Sequence, residues 1–284
     1  MKWLIYGANG WIGGKVTKLL QDAGEIVVRA ESRADDERAV ERELISVTPD
    51  RVISLIGRTH GPGFSTIDYL EQKGKLVENI KDNLYSPFVL SMICTKMNIH
   101  LTFLNTGCIF SGYPEDGYTE EDKPDFFGSS YSTVKGFTDR MMHFFESSVL
   151  TLRLRMPIDS STSSRNFITK IMKYEKICSM ANSMSVLPDL LPLLIDLAKR
   201  QVTGIVNFVN PGVISHNEIL EMIREIYDPN FVWQNFTIEE QSKILLSERS
   251  NNYLNTDKLV QLCPSVSPIK IAVRQIIQDM ADNK

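Results

Sequence analysis

Short apolar segments of strand length alternate with longer segments of helical periodicity along the front half of the chain. Buried strands are predicted at residues 2–8, 25–30, 50–57, 100–107 and 149–157. Alternation of this kind is typical of βαβ units, in which crossover helices keep the strands parallel. The pattern therefore predicts an α/β fold with a Rossmann-type, doubly wound parallel sheet.

Three helices of the front half are predicted from apolar side chains at helical spacing. The inner face of the first is formed by Trp11, Ile12, Val16, Leu19, Leu20 and Ala23. A long helix, bent at Pro87, is predicted from Leu76, Ile80, Leu84, Leu90 and Ile93. The third begins near Ser130, and its expected inner face is formed by Val134, Phe137, Met141 and Phe145.

The pattern becomes less regular in the back half of the chain. A strand is predicted at 204–210, and the last helix at 268–280. Two further helices begin at capping boxes, formed by Ser215 with Glu218 and by Thr237 with Glu240. The change near Met156 predicts two parts. Residues 1–155 would be mainly a dinucleotide-binding domain, and residues 156–284 mainly a smaller α/β part that closes over a substrate and returns segments to the sheet.

Composition excludes several classes of protein. The chain is 43% hydrophobic and 23% charged, and its net charge of -4 argues against a nucleic-acid surface. No uninterrupted apolar run is long enough to span a membrane, and the N-terminus enters a strand directly, so a cytoplasmic protein is expected. The four cysteines and four histidines lack the spacing of a metal site, and no metal is predicted.

The segment after the first strand contains a repeated glycine spacing. Gly7, Gly10 and Gly13 form a G-x-x-G-x-x-G array that includes Asn9, Trp11 and Ile12. Glycines permit a tight turn, and the backbone N–H groups and helix N-terminus that follow can hold a pyrophosphate. Because the array opens the first βα unit of an alternating chain, it predicts a dinucleotide site rather than a plain glycine-rich turn.

The end of the second predicted strand should contact the adenosine ribose. Arg29 and Arg33 suit the 2′-phosphate of NADPH, whereas Glu31 suits the ribose of NADH. NADP(H) is the preferred prediction, with Arg33 as its contact, and NAD(H) remains possible. A solvated charged turn is the alternative interpretation.

Thr106, Tyr131 and Lys135 form a candidate set for carbonyl reduction. Tyr131 and Lys135 are one helical turn apart, and the ammonium group should lower the pKa of the phenol so that it can donate a proton. Thr106, at the end of the fourth strand, can hydrogen-bond the same carbonyl oxygen. Tyr69 and Lys73 share the spacing but precede that strand, so Tyr69 is interpreted as a surface aromatic residue.

These residues resemble the extended short-chain dehydrogenase/reductases, and the chain is similar to dTDP-4-dehydrorhamnose reductases. A narrower resemblance is to the nucleotide-rhamnose synthase/epimerase-reductases, which also form the C-terminal domain of plant UDP-rhamnose synthases. It is carried by the segments GWIGG, TGCIF, EEDKPDFFGSSYS, RMPI, RNFITKI, NSMSVL, NFVNPGVISHNEILEM and RSNN. The resemblance implies inversion at C3 and C5 of a nucleotide 4-keto-6-deoxy sugar, followed by reduction at C4.

Inversion needs two proton-transfer groups, one on each face of the sugar ring. The resemblance implies Cys108, in the turn that carries Thr106, as one group, and Lys170 as the other. Related GDP-fucose synthases use a histidine where Lys170 is expected to act. The alternatives are a buried filler role for Cys108, and a solvated lysine or a phosphate contact for Lys170.

The remaining implications concern substrate and partners. Arg165 and Asn166 suit the sugar, whereas Arg249, Asn251 and Asn252 suit a diphosphate or a uracil edge. The expected reaction converts UDP-4-keto-6-deoxyglucose to UDP-L-rhamnose, although the sequence does not distinguish UDP from dTDP. Rival interpretations are a 4-reductase alone and a non-enzymatic NADP(H)-binding regulatory subunit. A homodimer formed through the two long helices is also implied, with neither nucleic acid nor membrane as a partner.

Overall fold

A computed structural model describes residues 1–283 of the chain. The strands are β1 (Lys2–Tyr6), β2 (Ile26–Arg29), β3 (Arg51–Ser54), β4 (His100–Thr106), β5 (Val149–Leu154), β6 (Pro157–Ile158), β7 (Lys176–Ile177), β8 (Ala181–Asn182), β9 (Ser185–Val186), β10 (Gly204–Asn207), β11 (Ile214–Ser215) and β12 (Gln234–Asn235). The α-helices are α1 (Trp11–Asp22), α2 (Glu37–Val47), α3 (Leu76–Ile80), α4 (Ser86–Lys96), α5 (Ser130–Met142), α6 (Phe167–Ile171), α7 (Leu187–Lys199), α8 (His216–Ile226), α9 (Ile238–Ser242), α10 (Asp257–Leu262) and α11 (Ile269–Asp282).

Six strands form one parallel sheet in the order β10-β5-β4-β3-β1-β2. The chain runs from β1 to β2 on one side and continues through β3 on the other. The strand order therefore reverses between β1 and β3, and a crevice is expected at their carboxyl ends. The predicted α/β fold with a doubly wound parallel sheet is confirmed.

Alternate side chains of β1 enter separate cores on the two faces of the sheet. Trp3 and Ile5 pack in a cluster with residues of α1 and α7, while Leu4 and Tyr6 pack with residues of α2 and α4. This alternation follows from the twofold side-chain period of a strand. Helix α7 belongs to the back half of the chain, yet it packs on the sheet of the front half.

The rest of the back half has a core of its own. Buried side chains of α6, α8 and α11 pack together there, among them Ile168, Ile219 and Val273. Both predicted capping boxes, at Ser215 and Thr237, are present at the starts of α8 and α9. The division at residues 155 and 156 remains a prediction. Within the described residues, every helix is too short or too polar to cross a bilayer.

Some predicted details were wrong. Leu19 and Phe137 point outward, with exposed fractions of 36% and 58%. Helix α2 was not predicted at all. The long helix contains a π-helical turn at Lys81–Tyr85, just before Pro87. Because Pro87 has no N–H, the carbonyl oxygen of Asn83 instead accepts a hydrogen bond from the hydroxyl of Thr138, at 2.7 Å.

Candidate active site

A cavity of about 400 Å³ lies at the carboxyl ends of β1, β3 and β4. It brings together residues that are far apart in the sequence. The predicted site residues that line it are Gly10, Trp11, Ile12, Gly13, Thr106, Cys108, Tyr131, Lys135, Arg165, Lys170, Arg249 and Asn251. Gly7, Asn9, Arg33, Asn166 and Asn252 are not part of this lining.

The glycine turn has the shape required to hold a dinucleotide diphosphate. Gly7 has φ +79°, and the N–H of Gly10 donates to its carbonyl oxygen at 3.0 Å. A Cβ atom on Gly13 would lie 2.0 Å from that oxygen, so only glycine fits. Helix α1 begins at Trp11 without a side-chain cap, which leaves its first N–H groups for an anion.

The residues after β2 are engaged with other protein groups. Arg29 donates to Oδ1 of Asn9 at 2.9 Å. Arg33 donates to Asp35 at 2.9 Å and lies 3.6 Å from a carboxylate oxygen of Asp82. The Arg33 side chain is 69% exposed and can therefore turn toward a ligand, but to do so it must leave these two carboxylates. This geometry fits a nicotinamide dinucleotide without choosing between NADP(H) and NAD(H).

Thr106, Cys108 and Tyr131 meet at the end of β4. The backbone N–H of Cys108 donates to the hydroxyl oxygen of Thr106 at 3.1 Å, which fixes the turn. Burial is the main cause that raises the pKa of Tyr131, and Cys108 adds to it, while the hydrogen bond from Thr106 opposes it. The phenol therefore keeps its proton at neutral pH.

Lys135 lies one helical turn from Tyr131 and is buried. Burial lowers the pKa of Lys135 to about 7, although Asp139 opposes the shift. Its ammonium nitrogen lies 5.0 Å from the centre of the Phe103 ring. The expected lowering of the Tyr131 pKa by Lys135 does not occur in this state, because burial dominates the shift and Lys135 is not among its causes.

Another part of the cavity lining is rich in cations. Lys170 lies on α6, and burial, followed by the charges of Arg165 and Arg249, lowers its pKa. Arg249 donates to Asp68 at 2.6 Å, which holds the guanidinium in place. Arg165 contacts the imidazole of His60. This part of the lining can thus bind a negatively charged group and also present an amine that loses its proton easily.

The amides of Asn166 and Asn252 serve the fold. The Asn166 side chain donates to the carbonyl oxygen of Asp159 at 2.8 Å and caps α6. Asn252 is buried, donates to Gly107 at 2.9 Å and accepts from Arg155 at 2.7 Å. The expected substrate contacts at these two positions therefore have no available amide group.

The comparison with protein families decides the relationship. The family described as "RmlD substrate binding domain" matches residues 1–183. The chain belongs to this family.

Three known proteins show how this family member compares. The L780 UDP-rhamnose synthase of Acanthamoeba polyphaga mimivirus has a crystal structure that is 59% identical, with 99% of each chain covered and a TM-score of 0.98. A bifunctional dTDP-4-dehydrorhamnose 3,5-epimerase/reductase of Arabidopsis thaliana is 44% identical over 94% of this chain and 89% of its own. A dTDP-4-dehydrorhamnose reductase of Bacillus anthracis, solved with NADP, is 15% identical over 98% and 99% of the chains, with a TM-score of 0.81, and shows the shared fold. The resemblance to epimerase-reductases is confirmed, and these relatives are enzymes.

Several cavity residues were not predicted. They include His60, Tyr174, Met180, His216 and Gln241. His60 follows β3, beside the point where the strand order reverses, and that position was the one signal available in the sequence. Among residues 1–283, no group of three or more histidine, cysteine or acidic side chains is placed to hold a metal ion.

Proposed function

We propose that this family member is a bifunctional 3,5-epimerase/4-reductase that converts UDP-4-keto-6-deoxy-D-glucose to UDP-L-rhamnose with NADPH. One observation carries the proposal: Cys108 and Lys170 line the same cavity as Thr106, Tyr131 and Lys135. A simple reductase has no use for a thiol and an amine beside its proton donor. The bifunctional relative in Arabidopsis and the viral UDP-rhamnose synthase support the same conclusion.

Reduction uses the residues at the end of β4 and on α5. The phenol of Tyr131 is protonated at neutral pH, as it would be even at its ordinary pKa, and it is the group that can donate a proton to the C4 oxygen. The hydroxyl of Thr106 donates a hydrogen bond to the same oxygen. Protonated Lys135 then stabilises the phenolate that remains.

Epimerisation uses the same oxygen contacts for a different purpose. The C4 ketone acidifies the hydrogens on C3 and C5, and loss of either leaves an enolate whose oxygen faces Thr106 and Tyr131. A proton leaves one face of the ring and another returns on the opposite face. We assign these transfers to Cys108 and Lys170. The lowered pKa of Lys170 makes its neutral amine more readily available for proton transfer.

The cofactor assignment rests on the glycine turn and the charges after β2. Gly7, Gly10 and Gly13 would hold the diphosphate, and Arg33 would leave Asp35 to bind the 2′-phosphate. When bound, NADPH supplies the hydride for C4. Arg33→Ala should then weaken NADPH far more than NADH, as measured by fluorescence titration. Equal weakening would favour the alternative, NAD(H).

We also propose that the protein is a homodimer. Apolar side chains are exposed on the two neighbouring helices α3 and α5, including Leu76 at 56%, Val77 at 64% and Phe137 at 58%. A second copy of the chain would cover this apolar surface. The cytoplasmic location remains a prediction.

Product analysis tests the proposed reaction. The pure protein is incubated with UDP-4-keto-6-deoxyglucose and NADPH, and the sugar product is identified by NMR. UDP-L-rhamnose is expected. A reduced product that keeps the substrate's configuration at C3 and C5 would indicate a 4-reductase alone. A parallel reaction with the dTDP sugar determines which nucleotide the enzyme prefers.

A further inference from the structure

His60 lies in the segment between β3 and the 3₁₀ turn at Ile67–Glu71, and its imidazole lines the cavity. Arg165 and Lys170 line the same cavity from the loop before α6 and from α6 itself. A histidine from the edge of the sheet is therefore placed beside the proposed proton-transfer lysine.

The contact with Arg165 determines which ring nitrogen of His60 carries the proton. Nη2 of Arg165 is in hydrogen-bonding contact with Nε2 of His60. A guanidinium has donors and no acceptor, so Nε2 must accept with its lone pair. Burial lowers the pKa of His60, and the charges of Arg165, Arg58 and Lys170 add to the shift. The ring is thus neutral, with its proton on Nδ1.

The Nδ1–H group is buried and has no acceptor within residues 1–283. A buried donor without an acceptor destabilises the protein, and a ligand oxygen that reaches it removes this penalty. Because His60 lines the cavity, a ligand oxygen there can meet Nδ1 once the side chain moves enough to expose that atom.

We propose that Nδ1–H of His60 donates a hydrogen bond to an oxygen of the substrate's sugar ring. It thereby positions the ring between Cys108 and Lys170. This inference rests on the proposed function. A neutral donor suits an uncharged hydroxyl or carbonyl oxygen, whereas the guanidinium of Arg249 suits a diphosphate.

Calorimetric titration with UDP-L-rhamnose and with UDP alone separates the sugar contact from the nucleotide contacts. His60→Leu should bind UDP-L-rhamnose roughly tenfold more weakly than the wild type, with unchanged affinity for UDP. His60→Asn keeps an amide N–H near the position of Nδ1 and should restore part of the affinity. His60→Gln places its amide near Nε2 and should not. His143→Leu, a histidine replacement outside the cavity lining, should match the wild type.

Nitrogen NMR of the ligand-free protein tests the protonation state directly. The Nδ1 of His60 should carry the proton at neutral pH. A proton on Nε2, or equal loss of UDP and UDP-L-rhamnose binding in His60→Leu, would overturn the assignment. Turnover assays keep the two proposals apart. If the wild type makes UDP-L-rhamnose and His60→Leu binds the sugar normally, only the His60 inference fails. If the wild type makes none, the proposed function fails and this inference with it.

Discussion

At the scale of single residues, Tyr131 is the proposed proton donor for reduction. Tyr131→Phe keeps the ring and removes the proton donor. Reduction should therefore fall by about 10²-fold or more, because the C4 oxygen would receive no proton from the protein. The rate of NADPH oxidation with substrate measures the effect. A wild-type rate in the variant would show that Tyr131 is not the acid.

Lys170 has two possible roles that one substitution can separate. Lys170→Arg keeps the positive charge, but a guanidinium does not give up a proton at any relevant pH. If Lys170 transfers protons, deuterium exchange from solvent into the sugar should fall steeply, while substrate KM changes little. A phosphate contact would survive in Lys170→Arg and would be lost in Lys170→Met, with a raised KM.

The pKa shift of Lys170 gives this prediction a pH dependence. Because the pKa is lowered from its ordinary 10.5, the neutral amine becomes available nearer to neutral pH than in a solvated lysine. Exchange that uses the neutral amine as base should rise with pH through this lowered pKa. Arg165→Gln removes a repulsive charge, raises the pKa of Lys170 and should move the rise to higher pH.

Motif spacing was sufficient to predict some residues of the cavity lining and insufficient for others. Thr106, Tyr131 and Lys135 meet there because Thr106 ends a buried strand and the other two lie one turn apart on a later helix. Asn166 could not be interpreted correctly, because a sequence does not show whether an amide is already bonded to backbone. His60 required the fold, which brings its loop to the cavity.

At the scale of elements, the turn between β1 and α1 has a strict steric requirement. Gly13→Ala would place a Cβ atom 2.0 Å from the carbonyl oxygen of Gly7. We expect a loss of about 1–3 kcal/mol in the free energy of unfolding and much weaker dinucleotide binding. Thermal unfolding and fluorescence titration measure the two effects.

Gly14 provides a matched control in the same helix. A Cβ atom on Gly14 meets no other atom within 4 Å, so Gly14→Ala should bind the dinucleotide normally. It should be more stable by about 0.5–1 kcal/mol, because alanine favours a helix. If both variants lost binding equally, the close approach of Gly13 would not be the reason for its glycine.

Helices and strands with many apolar residues were predicted from the sequence more readily than polar ones. Apart from the edge strand β2, the strands of the sheet are largely buried on both faces, and they were predicted from continuous apolar runs. Helix α2 contacts the core mainly through Val40 and Leu44, and its other positions are largely polar, so its periodicity was weak. Phe137 was placed inside because periodicity alone cannot distinguish a buried apolar face from an exposed one.

At the scale of the whole molecule, the back half of the chain returns more than once to the sheet formed mainly by the front half. Helix α7 and strand β10 return to the sheet. An ion pair between Lys15 on α1 and buried Asp159 fastens the glycine-turn helix to the loop after β6. These long-range contacts fix the relative positions of the segments that line the cavity. They could not be predicted from local patterns.

The exposed apolar surface on α3 and α5 gives a prediction about assembly. Phe137→Glu places a charge in the proposed dimer surface and should convert a dimer into a monomer, whose mass is 32.3 kDa. Light scattering after gel filtration measures this mass. Val232→Glu changes a side chain that is 83% exposed in the other part of the chain and should leave the dimer intact. A monomeric wild type would refute the proposal.

Deuterium exchange in Cys108→Ser tests the bifunctional reaction most directly. Serine preserves the shape of the turn, but its hydroxyl is a far weaker acid than a thiol. We expect exchange from solvent into C3 and C5 of UDP-4-keto-6-deoxyglucose to fall steeply. UDP-4-keto-L-rhamnose, supplied already inverted, should still be reduced through Thr106, Tyr131 and Lys135. Exchange at the wild-type rate in Cys108→Ser would contradict the assignment of proton transfer to Cys108 and leave it with a filler role.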